Sequence, residues 1–237
     1  MENGSTRLRD LERFYGLLDE LSRIFGGPRL LGACHGRMDF PERGIYFFFE
    51  PGENRTDSGF GPRVVRIGTH ALKAGSRTTL WKRLSQHRGQ VRTGTGNHRG
   101  SIFRLLVGGA LQNRGVPAVP TWGKGSSAPR EVRDGERNLE QQVSQTIGRM
   151  PILWLSIPDA PGPGSLRGTL ERNAVALLSN YRRPALDPPS PDWLGHHSDR
   201  EKVRESGLWN QHHVDELHDP AFLDLLERLV TTMASER

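Results

Sequence analysis

Apolar residues recur at two different spacings along the chain, and the two spacings predict a mixture of helices and strands. Helical spacing predicts helices at residues 6–25, 78–88, 101–112, 138–148 and 166–179, and two more helices towards the C-terminus. Short apolar runs bounded by Gly and Pro predict strands at residues 43–50, 63–69 and 152–157. These elements predict an α/β fold, in which a small, mainly antiparallel three-stranded sheet is flanked by helices.

The first two predicted strands and the helix after them contain the residues best suited to chemistry. Gly44-Ile45-Tyr46 opens the first strand and Arg66-Ile67-Gly68 ends the second, while Arg83 and His87 lie one turn apart on the helix. An arginine beside a histidine suits a phosphate, because one is a permanent cation and the other changes its charge near neutral pH. Alternation along the first strand places Tyr46 on the face opposite the one that covers the core, where we expect it to be half-buried.

This order of features resembles the GIY-YIG nuclease family. The first signature of that family is present unaltered as Gly44-Ile45-Tyr46. The second is present as Arg66-Ile67-Gly68, in which Arg66 replaces the second tyrosine. Arg83 matches the helix arginine of the family, and His87 matches the His or Tyr that often follows it by one turn. The stretch between the two signatures is longer than the usual short hairpin, which resembles the restriction-enzyme branches of the family.

Two later residues extend the resemblance to the metal site of the family. Glu171 matches its metal-binding glutamate and Asn180 matches the asparagine that follows, so that the resemblance covers residues 43–181. A carboxylate beside the apolar stripe of a helix is costly to bury unless it is paired or bound to a metal. The alternative role for Glu171 is a salt bridge to Arg167 or Arg172.

The resemblance implies metal-dependent hydrolysis of DNA phosphodiester bonds. Tyr46, with help from His87, would orient or deprotonate the attacking water, and a cation or metal must favour the ionised phenol, because a free phenol has a pKa near ~10. Arg83 would hold the non-bridging phosphate oxygens, and Arg66 would contact phosphate or replace the partner of the missing phenol. Glu171 would hold one divalent cation, with Mg²⁺ as the first candidate and Mn²⁺ as the second. The residues that would support this site are Gly44, Gly68 and Asn180.

The charges are distributed unevenly along the chain. No Asp or Glu occurs from Ser58 to Arg130, whereas that stretch contains thirteen Lys and Arg residues. Because the whole chain has a net charge of +6, the remainder sums to 6 − 13 = −7. A cationic block in an otherwise acidic chain predicts binding to nucleic acid, with duplex DNA as the first candidate. The side chains expected to contact DNA are Arg63, Lys73, Lys82, Arg88, Arg92, His98 and Arg99.

Two other functions fit the same residues. The scaffold could have lost catalysis together with the second tyrosine and act as a nucleic-acid-binding module. Alternatively, the basic block could contact an acidic protein or RNA in an interaction protein. Metal-dependent cleavage separates a nuclease from a binder, and the salt dependence of binding separates a DNA ligand from a protein ligand.

The remaining features concern organisation and location. The pattern divides the chain into an N-terminal helix and connector at residues 1–42, a nuclease-like domain at 43–181, and a helical extension at 182–237. Cys34 is the only cysteine, which excludes an intramolecular disulfide and favours a reducing compartment. No apolar run is long enough to span a bilayer, and none near Met1 resembles a secretion signal, so a cytoplasmic protein without a membrane partner is expected.

Overall fold

The structure is a computed structural model, and it describes residues 4–235. Its helices are α1 (Gly4–Phe25), α2 (Leu80–Arg88), α3 (Ile102–Asn113), α4 (Arg130–Gly148), α5 (Leu166–Leu178), α6 (Glu201–Ser206) and α7 (Ala221–Ser235). Its strands are β1 (Arg29–Leu30), β2 (Gly44–Asn54), β3 (Pro62–Gly68) and β4 (Pro151–Ser156). The predicted α/β fold, with helices flanking a small antiparallel sheet, is confirmed.

The sheet has four strands within residues 4–235, in the order β1-β4-β2-β3, and every neighbouring pair is antiparallel. The prediction of three strands was therefore wrong by one. The additional strand, β1, consists only of Arg29 and Leu30, which pair with Ile152 and Pro151 of β4. Two residues are too few to produce a recognisable strand pattern, because strands are recognised over runs of four to eight residues.

Both faces of the sheet are covered by helices. On one face Phe14 of α1 packs edge-on against Phe47, with ring centroids 6.0 Å apart. On the other face Phe48 packs against Phe103 of α3, with centroids 5.2 Å apart. Tyr46 lies on this second face and is only 1% exposed, so the expectation of a half-buried tyrosine was wrong. Helices α2 and α3 cover the face that was expected to be partly open.

Strand β3 lies at the edge of the sheet, and a C-terminal segment covers that edge. The N–H of Trp209 donates to the carbonyl of Val65 at 2.8 Å. The amide of Asn210 accepts from the N–H of Ile67 at 3.1 Å and donates to its carbonyl at 2.9 Å. An unpaired strand edge invites pairing with another chain, and this segment satisfies the edge internally. Residues of α1, of the sheet and of α7 belong to one hydrophobic core.

No helix within residues 4–235 combines the length and the apolar character that crossing a bilayer requires.

Candidate active site

Two motif glycines occupy positions where a side chain would not fit. Gly44 lies against the carbonyl oxygen of Leu155 on β4, and a Cβ at Gly44 would collide with that oxygen. Gly68 lies opposite Tyr46 in the pairing of β2 with β3, and a Cβ at Gly68 would overlap the phenol ring and its hydroxyl. Glycine at these positions lets β4 and the Tyr46 side chain approach the end of the sheet closely.

Tyr46 begins a buried row of hydrogen-bonded side chains. Its hydroxyl oxygen lies 2.9 Å from Nε2 of His87, and Nδ1 of His87 lies 2.7 Å from Oγ of Ser101. Ser101 is the N-cap of α3, and its Oγ accepts the N–H of Arg104 at 3.3 Å. The row therefore runs from the sheet through α2 to the N-terminus of α3.

Arg104 fixes the C-terminal end of α2 in place. Its guanidinium donates to the carbonyl of His87 at 2.9 Å, to Oε2 of Glu140 at 2.9 Å and to Oγ of Ser144 at 2.9 Å. The side chain has no exposed surface. Burial lowers the pKa of the Arg104 guanidinium, and the charge of Glu140 acts in the opposite direction. This pairing ties α2, α3 and α4 together directly behind the histidine.

His87 is neutral near pH 7 because its surroundings oppose protonation. Burial lowers the pKa of His87 well below its ordinary value, and the guanidinium groups of Arg83, Arg66 and Arg104 lower it further. The expectation that this histidine faces a phosphate beside Arg83 was wrong. His87 has no exposed surface and lies against Tyr46 instead.

A cavity of about 270 Å³ opens beside this row, at the edge of β3. Arg66 lines it from β3 and Glu171 lines it from α5. The other lining residues are Thr69, Leu72, Ile102, Leu106, Trp209, Asn210, Gln211, His212 and His213. Helix α5 packs with α1 and α7 on the face of the sheet opposite α2 and α3, so Glu171 reaches the cavity around the edge of β3.

Arg66 has hydrogen-bonding capacity that the protein does not use. Its Nη1 donates to the carbonyl of Trp209 at 2.6 Å, and the guanidinium lies 4.7 Å from the ring centre of Phe103. Its buried Nε has no hydrogen-bond partner among the described residues. Burial lowers the pKa of Arg66, whereas Tyr46 and Glu171 nearby favour the charged form. A buried donor without a partner beside a cavity suits an anionic ligand.

Glu171 is half-buried, and its carboxylate lies among positive charges. Burial raises the pKa of Glu171, while Arg66, His213 and Arg83 favour the ionised form. The Glu171 carboxylate therefore interacts electrostatically with Arg66 and Arg83, the two arginines that the motifs identify.

The salt-bridge alternative for Glu171 was wrong. Arg167 pairs with Asp159 and Arg172 pairs with Glu216. Glu171 forms no ion pair within 4.0 Å among residues 4–235. Its carboxylate is therefore available to a ligand in the cavity.

Arg83 of α2 is close enough to His87 and to Glu171 to act on both electrostatically. Its Nη1 donates to Oε1 of Gln86 at 3.1 Å and to the carbonyl of Gly100 at 3.2 Å, and the side chain is partly exposed. Its charge acts on both His87 and Glu171. An arginine in this position can reach a ligand without a change in the buried row.

The donors that face the cavity fit a hydrated hard cation. Glu171 supplies one carboxylate, and residues 4–235 contain no cluster of three His, Cys, Asp or Glu side chains suited to a metal. Mg²⁺ binds proteins through one or two carboxylates and keeps several of its water molecules. A cavity of about 270 Å³ leaves room for such an ion together with its waters.

A comparison with family models assigns the chain as a whole. A model described as the GIY-YIG domain matches residues 5–236, which is almost the entire sequence. The chain belongs to the GIY-YIG family. No curated protein and no solved structure matches it significantly. The match extends beyond residues 43–181 on both sides and includes α1 and the segment that covers β3.

Three of the side chains expected to contact DNA are buried against glutamates in this GIY-YIG protein. Arg63 pairs with Glu53 at 2.5 Å and Arg99 pairs with Glu136 at 2.7 Å, while Nδ1 of His98 lies 3.0 Å from Oε1 of Glu140. The prediction of DNA contacts by Arg63, His98 and Arg99 was therefore wrong. Their acidic partners lie outside the acid-free stretch of the chain, and only the fold brings them together.

The other predicted DNA contacts lie at or near the surface. The exposed positions among them are Lys73, Lys82 and Arg92. Arg88 is half-buried, because its guanidinium donates to the carbonyl of Cys34 and lies 4.8 Å from the ring centre of Trp81. The cationic surface of this GIY-YIG protein is consequently smaller than its sequence suggests.

Asn180 supports the arrangement of the helices and does not line the cavity. Its Oδ1 accepts from Nη2 of Arg7 at 2.9 Å and from the N–H of Leu186 at 2.9 Å. Its Nδ2 donates to the carbonyl of Leu186 at 3.1 Å. Asn180 thus joins α1 to the segment that follows α5, which holds α5 and its Glu171 in position.

Sequence reasoning misses three residues that shape the site of this GIY-YIG protein: Ser101, Arg104 and Asn210. A serine directly before the apolar residues of a helix is a typical N-cap signal, so Ser101 was recognisable as a cap but not as a partner of His87. Nothing in the local sequence of Arg104 or Asn210 indicates their partners, which lie 36 and 143 residues away.

Proposed function

We propose that this GIY-YIG protein is an endonuclease that hydrolyses phosphodiester bonds of duplex DNA with the help of a divalent metal ion. The observation that carries the proposal is the cavity that brings Arg66 and Glu171 together beside the Tyr46–His87 pair. Hydrolysis of a phosphodiester requires cations for the phosphate, a carboxylate for a metal and a group that accepts the proton of water. Arg66 and Glu171 line the cavity and supply the cation and the carboxylate, and the buried Tyr46 hydroxyl interacts with the Arg66 guanidinium.

Tyr46 acts on the attacking water in this proposal. As an ionised phenol it accepts a proton from the water whose oxygen attacks phosphorus. The bond between phosphorus and the leaving oxygen breaks, and that oxygen stays on the cleaved strand and takes a proton from solvent water. The Tyr46 hydroxyl and the Arg66 guanidinium interact, and this interaction favours the charged form of Arg66. Arg66 thereby serves at the position where other members of the family have their second tyrosine.

Arg83 and Arg66 hold the phosphate. Negative charge develops on its non-bridging oxygens during attack, and positioned guanidinium groups stabilise that charge. Arg83 is partly exposed and Arg66 has an unpartnered Nε, so both retain donors for a phosphate. Two cations from different elements also fix the orientation of the phosphate relative to Tyr46.

Glu171 is the residue that would hold the metal ion, with Mg²⁺ as the first candidate and Mn²⁺ as the second. When bound, such an ion supplies positive charge to phosphate oxygens and acidifies coordinated water. A carboxylate that binds a cation must be ionised, and the raised pKa of Glu171 means that acidification weakens metal binding at a higher pH than for an ordinary glutamate. A cytoplasmic location is part of the same proposal, because Cys34 is a free buried thiol.

The test is the incubation of the pure protein with supercoiled plasmid in Mg²⁺, in Mn²⁺ and in EDTA. We expect nicked or linear DNA with at least one of the two ions and intact plasmid with EDTA. The Tyr46→Phe variant is the matched control for a contaminating nuclease, because it retains the ring and removes only the hydroxyl. DNA binding without cleavage in either ion would contradict the proposal and indicate a nucleic-acid-binding module. Cleavage in EDTA would contradict the role of the metal.

A further inference from the structure

A second cavity, of about 360 Å³, lies where α2 ends, and Arg88, the last residue of α2, lines it. Uncharged polar side chains from two elements form most of its remaining wall, namely Gln90 of the loop after α2 and Gln141, Ser144 and Gln145 of α4. The three α4 residues follow the spacing i, i+3, i+4, which places them on one face of the helix. This cavity shares no lining residue with the cavity of Arg66 and Glu171.

The glutamines of this second cavity offer both donors and acceptors. Nε2 of Gln141 donates to the carbonyl of Thr93 at 3.1 Å, which fixes the orientation of the amide and leaves its Oε1 as an acceptor. Gln145 is exposed, so its amide offers a donor and an acceptor to a ligand. A phosphate can only accept, whereas the edge of a nucleobase presents donors and acceptors side by side. The amides therefore suit a base better than a phosphate.

The charges around the second cavity favour nucleic acid over protein as the source of that ligand. Arg88 is the only charged side chain that lines it in the described part of the chain, and the buried Nε of Arg88 has no hydrogen-bond partner there. Lys82 and Arg92, on α2 and on the loop after it, are exposed. All three belong to residues 58–130, which contain no Asp or Glu. Cations beside neutral amides suit a polyanion whose bases enter the cavity.

The concave shape of the second cavity favours a base that has left the stack. A base that is paired within a duplex presents only one edge in a groove, so it must be extruded before it can enter a cavity. Extrusion costs least when the base is already unpaired. Val91 lines the same cavity and is 69% exposed, which provides apolar surface for the face of a base. A cavity of about 360 Å³ is small among ligand sites and suits a single base.

We propose that this second cavity binds one unpaired nucleobase of a DNA strand whose backbone passes along α2. Arg83, whose charge acts on Glu171, belongs to the same helix, and the helix has nine residues. Its length is thus about 13 Å, and successive nucleotides of a strand rise about 3.4 Å, so the bound base lies within about four nucleotides of the cleaved bond. That distance rests on the proposed nuclease function, whereas the binding of the base does not.

Binding of the base can be measured in EDTA, without cleavage. Two duplexes of the same sequence each carry one bulged nucleotide, which is complete in the first duplex and abasic in the second, and a third duplex has no bulge. The two bulged duplexes have the same phosphates, so the difference in their affinity for the full-length protein reports the contribution of the base. We expect the complete bulge to bind about tenfold more tightly than the abasic bulge, as for one well-formed contact to a base.

Alanine variants of the α4 glutamines test whether the second cavity is the source of this difference. Gln145→Ala and Gln141→Ala should each lower the ratio of the two affinities towards one, and Gln145→Ala leaves the bond between Gln141 and Thr93 intact. Alanine suits a helix interior, so the fold should be retained. Gln142→Ala is the matched control, because Gln142 lies on the same helix but does not line the cavity, and it should keep the wild-type ratio. All four proteins should bind the duplex without a bulge equally well.

Equal affinity of the wild type for the complete and the abasic bulge would overturn the proposal. A ratio that Gln141→Ala and Gln145→Ala leave unchanged would overturn it as well, and so would a failure to bind any of the three duplexes, which would indicate a ligand other than DNA. If the ratio follows the prediction but no DNA is cleaved in Mg²⁺ or Mn²⁺, the base site stands and the nuclease function fails. If plasmid is cleaved but the ratio is one, the nuclease function stands and the base site fails.

Discussion

At the scale of single residues, burial and neighbouring charges decide which side chains of the candidate site can be replaced without damage to the fold. His87 and Arg66 are buried, and each has a pKa that its surroundings lower. Removing either would leave a cavity in the core and unpaired groups around it. Arg83 differs from both, since it is partly exposed and its hydrogen bonds within residues 4–235 go to Gln86 and Gly100. Arg83 is consequently the cleanest single position for a test of chemistry.

Arg83→Ala should reduce the single-turnover rate of DNA cleavage by about 10²–10³, because a preformed donor to a developing charge is lost. The free energy of unfolding should change little, since alanine suits a helix interior and no buried volume is removed. Arg114→Ala is the matched control. It removes the same charge from an exposed position at the far end of α3, roughly 18 Å along the helix from Ile102. Near wild-type turnover by Arg83→Ala would rule out its assigned role.

The extent to which chemistry could be predicted from sequence differs from residue to residue. Tyr46, Arg83 and Glu171 were found through motifs, and the structure brings them into one electrostatic neighbourhood. Arg63 and Arg99 were misjudged, because the charge of a side chain is visible in the sequence but its partner is not. Such partners are determined by tertiary contacts between residues far apart in the chain, and these contacts follow no local pattern.

At the scale of secondary-structure elements, the edge strand β3 organises the site. It carries Arg66, ends at Gly68 beside the Tyr46 hydroxyl, and is covered by Trp209 and Asn210. Most of the long helices and strands follow from apolar periodicity and were predicted close to their observed positions. The exception is α4, which was predicted at residues 138–148 and begins at Arg130. The two-residue strand β1 was not predicted, because it is too short to form a pattern. The segment that covers the edge of β3 was not predicted either, because its backbone is irregular.

The Gly68→Ala variant tests how far the stability of the sheet and the rate of cleavage each depend on the close approach of Gly68 to Tyr46. The added methyl group would overlap the Tyr46 phenol, so the ring must move away from His87. We expect a loss of about 1–3 kcal/mol in the free energy of unfolding from overpacking, together with a severe loss of cleavage. Gly109→Ala on α3, where a Cβ meets open space apart from one atom at 4.0 Å, is the control. Urea unfolding and plasmid cleavage measure the two effects. Full activity of Gly68→Ala would show that the close approach is unnecessary.

At the scale of the whole molecule, folding redistributes the charge of the basic block. Of its thirteen cations, Arg63, Arg66, Arg99 and Arg104 have buried side chains, and three of these pair with glutamates from other parts of the chain. The cations left at the surface include Lys82 and Arg92. Binding to DNA should therefore depend on a small set of exposed side chains around α2 and the loop after it.

The salt dependence of binding tests this surface. Affinity for duplex DNA should fall as salt rises, because each neutralised phosphate releases counterions. Combined Lys82→Glu and Arg92→Glu should reduce the slope of log K against log salt by about two, at nearly one unit per phosphate contact. Arg9→Glu, on the opposite face of the sheet, should leave the slope unchanged. A flat slope in the wild type would contradict the assignment of DNA as the partner.

Acid should destabilise the protein through the buried imidazole of His70. Burial lowers the pKa of His70 to about 4, and its Nδ1 lies 2.7 Å from the carbonyl of Thr78. Between the unfolded pKa near 6.5 and the folded value, the unfolded chain binds a proton that the folded protein does not. Stability is therefore complete above the unfolded pKa and falls as the pH drops towards 4. We expect a loss of about 1–2 kcal/mol from this group after solvent screening.

Urea unfolding at pH 7 and pH 5 measures that loss. The difference between the two pH values should be smaller in His70→Gln than in the wild type, because the variant has no imidazole to protonate. His87 is also buried and neutral, so part of the acid sensitivity should remain in the variant. An equal difference in wild type and variant would exclude His70 as a source of the effect.

The most direct test of the central claim is the single-turnover rate of DNA cleavage by Glu171→Gln in Mg²⁺, compared with that of the wild type. The measurement belongs at pH 8, because the raised pKa of Glu171 means that a higher pH favours the ionised carboxylate. Glutamine preserves the shape of the side chain and removes its charge. Our account predicts that cleavage falls by at least about 10²–10³. It also predicts that DNA binding in EDTA is equal or tighter, because a negative charge near the phosphate is gone. Cleavage by Glu171→Gln at close to the wild-type rate would contradict the assignment of this cavity as a metal-dependent nuclease site.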